Sequence, residues 1–284
     1  MRACPFASTL SALLFAMAVA LGGAIGVGAQ SPPLSHGKVE LIAEDDRFEA
    51  DRVAWVGLLF DLEKGWHIYW VNPGDAGEPA RIQWDLPAGF QAREIRWPTP
   101  LRLATGPLVD YGYEGRTLLP IPLQVPASYR PGAPATLAAD VRYLVCREVC
   151  IPARTRVTLS THSSASTPAE LAARRELFRR ARERWPRPMP ATWKAHAGER
   201  RRQFVLTLQT GSQETATAAM FFPLERDQID NAARQAVAPT GSNGLQITLK
   251  KSALLEKSIS VLKGVVVLGP DRAFEIAAPV SASR

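Results

Sequence analysis

Two cysteines separated by three residues, Cys146 and Cys150 in Tyr143-Leu144-Val145-Cys146-Arg147-Glu148-Val149-Cys150-Ile151-Pro152, constrain this chain more than any other feature. The third cysteine, Cys4, lies in an apolar N-terminal stretch that reads as an export signal. Strand-like sequence leads into the pair from Ala135 to Val145 and away from it from Arg154 to Ser160. Fully extended, the two Cα atoms would stand about 13 Å apart, whereas a disulfide needs about 4.4–6.8 Å. A bonded pair therefore forces a turn, either a hairpin tip or one helical turn, with regular structure resuming at Pro152. Closing so short a loop contributes about 2 kcal/mol, against about 3 for fifteen residues. A chain of 284 residues holds enough apolar sequence to fold without that help. The bridge is a weak staple, which favours a chemical role, while the spacing, not being diagnostic, leaves an inert structural bond as the alternative.

Residues 1–29 carry one charge, Arg2, and an apolar run from Leu10 to Val27. Val27-Gly28-Ala29 before Gln30 fits a small-residue cleavage site, so a signal peptide is expected. Left uncleaved, the run would anchor the chain in a membrane, although glycines at 22, 23, 26 and 28 weaken such a helix. Export agrees with the cysteines, since two thiols in an oxidising compartment pair or cycle between paired and free. No later stretch is long and apolar enough to span a bilayer.

From Lys38 to Ser160 the sequence predicts an all-β region. Candidate strands are Lys38–Ala43, Arg52–Leu62, His67–Val71, Arg81–Leu86, Phe90–Trp97, Thr117–Val125, Thr136–Val145 and Arg154–Ser160, separated by Gly, Pro and Asp clusters. Val141, Tyr143 and Val145 alternate with Asp140 and Arg142, as a half-buried strand requires. The number and spacing of strands favour an immunoglobulin-like β-sandwich over a barrel.

Two segments in this region concentrate unusual residues. In Gly65-Trp66-His67-Ile68-Tyr69-Trp70-Val71-Asn72-Pro73-Gly74-Asp75 the alternating aromatics read as core rather than as a sugar-stacking platform. In Asp110-Tyr111-Gly112-Tyr113-Glu114-Gly115 the tyrosines alternate with glycines, which predicts a loop. His36, His67, His162 and His196 are scattered and stand at no metal-ligand spacing from the cysteines, so neither a metal nor a cofactor is expected.

A Ser/Thr-rich connector follows, then Thr167-Pro168-Ala169-Glu170, an N-cap, a proline at the first helical position and a capping box. Leu171, Phe178 and Trp185, with Leu177 and Ala181 beside them, form one apolar stripe, and arginines occupy the rest. This segment carries most of the excess positive charge. A helix packing its stripe on a domain is the expectation, ahead of binding to lipid or nucleic acid. Pro186 to Pro190 reads as a stiff spacer. Strands return at Gln203–Leu208, Ala219–Leu224, Gly244–Lys250, Ser258–Leu268 and Ala273–Val280, a second, smaller β domain without a catalytic constellation. The predicted organisation is a signal peptide over 1–29, a sandwich domain over 30–160, a helical linker over 161–190 and a second β domain over 191–284.

Residues 38–160 resemble the periplasmic N-terminal domain of the thiol:disulfide interchange protein DsbD family, in the ScsB-like variant that carries a second β domain. The resemblance rests on Gly65-Trp66-His67-Ile68-Tyr69-Trp70, on Tyr111-Gly112-Tyr113-Glu114-Gly115 and above all on Val141 to Pro152. It implies a periplasmic relay that takes electrons from a membrane-embedded thiol reductase and passes them to thioredoxin-fold proteins. Carried over, Cys150 is the attacking cysteine and Cys146 its disulfide mate. Tyr111, Gly112 and Tyr113 match the cap loop that shields the pair, and Tyr69, with His67 beside it, matches the lining of the site. The best-known members of the family space their cysteines by five residues, not three, and carry membrane and thioredoxin domains that are not found within this sequence. The electron donor would then be a separate polypeptide. The competing reading is a non-redox binding or assembly module with a structural disulfide. Copper handling is a weaker third, since soft thiolates favour Cu(I).

Overall fold

The computed structural model describes residues 36–161, 166–211, 219–241 and 243–282. The expected signal peptide, Cys4 and His162 lie outside the described residues.

The first region is built from ten strands: β1 (Gly37–Ala43), β2 (Val53–Leu62), β3 (His67–Gly74), β4 (Arg81–Asp85), β5 (Gln91–Ala92), β6 (Leu101–Thr105), β7 (Leu108–Glu114), β8 (Arg116–Gln124), β9 (Thr136–Cys146) and β10 (Cys150–Ser160). One sheet runs β1-β2-β8-β5, the other β10-β9-β3-β7-β6 with β4 beside β9. Their inner faces share one core: Val56, Leu58, Phe60, Leu119 and Ile121 from the first meet Ile68, Trp70, Leu137, Val141 and Val145 from the second. The alternation expected for β9 holds, with Leu137, Ala139, Val141, Tyr143 and Val145 buried while Arg142 is exposed.

Strand β2 is buried continuously from Val56 to Phe60 because both of its faces are covered. Leu59, with Leu118 of β8, turns away from the core to meet Phe178 and Ala181 of α1 (Pro168–Glu183). The helix starts as its sequence dictates. Thr167 Oγ1 accepts from Glu170 N at 3.3 Å, and Thr167 N donates to Glu170 Oε2 at 2.8 Å. Its arginines are matched by the acidic run that ends β1: Arg182 Nη1 donates to Glu44 Oε1 at 2.6 Å, Arg175 Nε to Asp45 Oδ1 at 2.8 Å, and Arg174 pairs with Asp46. The basic helix is thus a packed, charge-compensated element. Among the described residues no helix is long and apolar enough to cross a membrane.

The predicted strand Phe90–Trp97 is reduced to β5. Pro120 and Pro122 of β8 offer carbonyls to Arg96 N and Arg93 N at 2.8 and 2.9 Å. On that same edge they have no N–H to return, so a full ladder cannot form. The predicted loop at Asp110–Gly115 is instead most of β7, buried from Val109 to Tyr113. β6 was not anticipated.

The second region contains β11 (Arg187–Pro188), β12 (Lys194–Arg200), β13 (Gln203–Gln209), β14 (Met220–Pro223), β15 (Ala236–Pro239), β16 (Gly244–Lys250), β17 (Val261–Val267) and β18 (Ala273–Ala282). They join in the order β14-β17-β18-β12-β13-β16-β15, with β11 parallel to β18 where a bare spacer was expected. Phe204, Leu206, Ile247, Leu262 and Ile276 form this region's own core. Phe222, Val265 and Ala273, however, belong to the core of the first region. Phe222 sets its ring edge-on to Tyr111 at 5.0 Å and to Trp70 at 6.3 Å. Asn72, buried in β3, donates to Pro223 O at 2.8 Å and Glu225 O at 3.1 Å.

Candidate functional site

The cysteines close the hairpin of β9 and β10. Cys146 and Cys150 are directly opposed in the ladder, with Arg147, Glu148 and Val149 as the turn and Arg147 N donating to Val149 O at 3.2 Å. Their Cα atoms lie 4.2 Å apart and the sulfurs are bonded. That separation is close to a non-hydrogen-bonded antiparallel pair, so the ladder presents the sulfurs to each other. Of the two turn geometries left open by the sequence, the hairpin is the one formed. Regular structure resumes at Cys150 itself, and Pro152 is accommodated because β10 is an edge strand.

The two cysteines differ in access. Cys146 is 2% exposed, whereas Cys150 is an exposed residue at the start of the edge strand. The sulfur of a disulfide carries no proton, so Tyr69 Oη donates to Cys150 Sγ, at 3.2 Å. Burial, followed by the charge of Asp110, pushes the Tyr69 hydroxyl well above the usual phenol range, so it stays a donor through the pH range in which thiols titrate.

Strand alternation explains why Tyr69 and His67 are at the site while Ile68 and Trp70 are in the core. His67 is opposite Cys146 in the β3–β9 pairing, sets its ring edge-on to Tyr69 at 5.2 Å, and is 3% exposed. Its Nε2 makes no hydrogen bond and lies 3.5 Å from Asp110 Oδ2. Gly112 is paired with Tyr69 across β3 and β7. A Cβ there would come within 2.0 Å of Ile68 O, which is why glycine interrupts the tyrosines.

Tyr111 and Tyr113, expected as parts of a shielding loop, are fully buried core residues of β7. Their hydroxyls donate to Asn231 Oδ1 at 2.9 Å and Pro98 O at 2.7 Å, and burial raises both well above the usual phenol range. The segment that does lie over Tyr69 is the β3–β4 connection. Gly77, at φ +77°, is packed so closely on the ring that a Cβ would meet Tyr69 Cζ at 2.1 Å. This contact has no signature in the sequence beyond the glycine itself. Arg147, in the turn between the cysteines, places its guanidinium 5.3 Å from the ring centre of Trp66. Trp66 in turn stacks on His36 at 3.6 Å. Among the described residues no group of three or more His, Cys, Asp or Glu side chains is arranged to hold a metal.

These features define a β protein whose edge hairpin carries an accessible cystine, one sulfur held by a buried tyrosine hydroxyl. Residues 38–162 match the family described as thiol:disulfide interchange protein DsbD, N-terminal. The fold as a whole is similar to the crystal structure of the N-terminal periplasmic domain of ScsB from Proteus mirabilis. The TM-score is 0.66 at 17% identity, over 89% of this chain and 97% of that one. No curated protein sequence matches the chain. The DsbD-like segment and its cysteine pair are consistent with thiol–disulfide relay.

Proposed function

We propose that the chain is a periplasmic thiol–disulfide relay, with Cys150 as the cysteine that exchanges with partners and Cys146 as its resolving mate. The observation that carries this reading is the asymmetry of the pair: one cysteine exposed on an edge strand and hydrogen-bonded by Tyr69, the other buried beside His67. Exposure favours reactivity, and a donor aimed at the sulfur stabilises it as a thiolate. Two sheets around one core fit an immunoglobulin-like sandwich over residues 30–160, followed by a linker over 161–190 and a second β domain over 191–284. The location of the solved relative agrees with the export signal read in residues 1–29.

In the reduced protein the Cys150 thiolate attacks one sulfur of an oxidised partner, forming a mixed disulfide and expelling the partner's other sulfur as a thiolate. The Cys146 thiolate then attacks Cys150 Sγ, re-forming the intramolecular bond and releasing the partner's second thiolate. Two electrons pass to the partner, whose released thiolates take any protons from solvent, and the chain is left in the oxidised state seen here. Thioredoxin-fold proteins of the periplasm are the acceptors in this reading, and a separate membrane-embedded thiol reductase restores the dithiol by the reverse sequence.

Trapping tests the assignment. Cys146→Ser is expected to accumulate a mixed disulfide with an oxidised thioredoxin-fold protein on a non-reducing gel, because the resolving thiol is gone. Cys150→Ser is expected to trap much less. Equal trapping would remove the assignment, and dominant trapping by Cys150→Ser would reverse it.

A further inference from the structure

A continuous run of contacts leads from the second β region to Cys150. It begins at Asn231, 6% exposed, in a turn anchored to its own region by Asp230 N donating to Lys250 O at 2.8 Å. The Asn231 side chain reaches across to the first region. Its Nδ2 donates to Asp75 Oδ1 at 2.8 Å while its Oδ1 accepts from Tyr111. The carboxylate can only accept, which fixes the orientation of the amide. Asp75 is held from the other side by Val109 N, which donates to its Oδ2 at 2.7 Å. The next residue, Ala76, donates its N–H to Asp110 Oδ1 at 3.1 Å, and the residue after that is Gly77, pressed on the Tyr69 ring. From the second region Arg226 Nη1 also reaches Gly77 O, at 3.4 Å. Tyr69 ends the run on Cys150 Sγ.

We propose that the second β region positions the redox site: through Asn231 and Arg226 it clamps the connection at 75–77 onto Tyr69, and Tyr69 thereby holds Cys150. The inference rests on the relay reading for its purpose, and its geometry stands apart from that reading. A lone sandwich would keep both cysteines and Tyr69 but lose the two side chains that fasten the covering segment. Asn231 is a positioning residue, because it touches neither sulfur.

The test uses the full chain. Asn231→Asp sets two carboxylates face to face, whereas combining it with Asp75→Asn exchanges donor and acceptor and restores the hydrogen bond. In the reduced protein at about pH 7, Asn231→Asp is expected to slow alkylation of Cys150 by iodoacetamide about threefold, because a loosened Tyr69 no longer stabilises the thiolate. The equilibrium of the Cys146–Cys150 pair with glutathione is expected to shift with it. The double variant is expected to return both within about twofold of the parent. A single variant that lowers the melting temperature but leaves alkylation and equilibrium unchanged would overturn the proposal, as would a double variant that restores neither. Should Asn231→Asp fail to fold, the exposed Arg226→Ala replaces it. Slower alkylation of Cys150 at about pH 7 supports the clamp, and the parent rate overturns it. A parent chain that does not exchange with glutathione would instead refute the relay reading, while the alkylation rates still decide the positioning.

Discussion

Tyr69→Phe isolates the hydrogen bond that reaches Cys150 Sγ. The ring stays under Gly77 and only the hydroxyl is lost, so packing is preserved. In the oxidised protein the bond is a neutral O–H···S contact of small net worth. On reduction the acceptor becomes a thiolate, and hydrogen bonds to charged groups contribute about 1.5–3 kcal/mol. Removing it raises the pH at which Cys150 is half thiolate by at least about one unit, since one unit is about 1.4 kcal/mol. At pH 7 the thiolate fraction then falls about tenfold, while a more basic sulfur is about threefold more nucleophilic for a Brønsted slope of about 0.45. The net rate of attack drops about threefold at pH 7 and rises about threefold above both midpoints, so the two pH–rate profiles cross. Stopped-flow reaction of each reduced protein with a chromogenic aromatic disulfide, between about pH 6 and 10, measures this. Superimposable profiles, or a uniform change without a crossing, would refute the claim that the hydroxyl acts on the Cys150 thiolate.

Asn72→Ala leaves the carbonyls of Pro223 and Glu225 without their donor in a buried junction. The expected cost is about 2–3 kcal/mol of unfolding free energy, read by urea denaturation. Gly77→Ala combines a left-handed backbone with a Cβ inside the Tyr69 ring. It is expected to cost about 1–3 kcal/mol and to slow Cys150 alkylation at about pH 7, and an unperturbed melting curve would contradict the packing described. For Asp46, burial raises the carboxyl, but hydrogen bonds from Arg174 and Ser166 outweigh it and hold the group below its ordinary 3.8. A depressed folded value means stability that is present above 3.8 and lost as pH falls through the lower folded value. Asp46→Asn is therefore expected to lower the melting temperature at neutral pH and to flatten its fall on acidification. An acid profile identical to the parent's would exclude a contribution from this pair.

Periodicity made the strands on either side of the cysteines readable, because β9 has one polar and one apolar face. The helix was legible down to its capping box, since Thr167 and Glu170 act within one turn. Legibility failed where distant parts of the chain decide local structure. Tyr111-Gly112-Tyr113 has the composition of a loop, yet Gly112 is there because β3 approaches too closely for a side chain. Phe90–Trp97 has the composition of a strand, yet the prolines of β8 withhold the donors it would pair with. The candidate site was half visible: the cysteines, Tyr69 and His67 lie on adjoining strands of one sheet. Asn231 and Gly77 were invisible, being single polar or small residues whose partners stand far away in sequence. The second region reads in the sequence as a separate β domain without a catalytic constellation, but Phe222 and Asn231 reach into the first.

The central claim, that Cys146 and Cys150 form a working couple rather than a staple, is tested most directly by their reduction potential. The protein is equilibrated in graded glutathione or dithiothreitol buffers, free thiols are quantified by alkylation, and circular dichroism is followed alongside. A functional pair gives a potential clearly above about −300 mV, and the spectrum of the reduced protein matches that of the oxidised one. A potential well below about −300 mV, or loss of the β signal on reduction, would contradict the account.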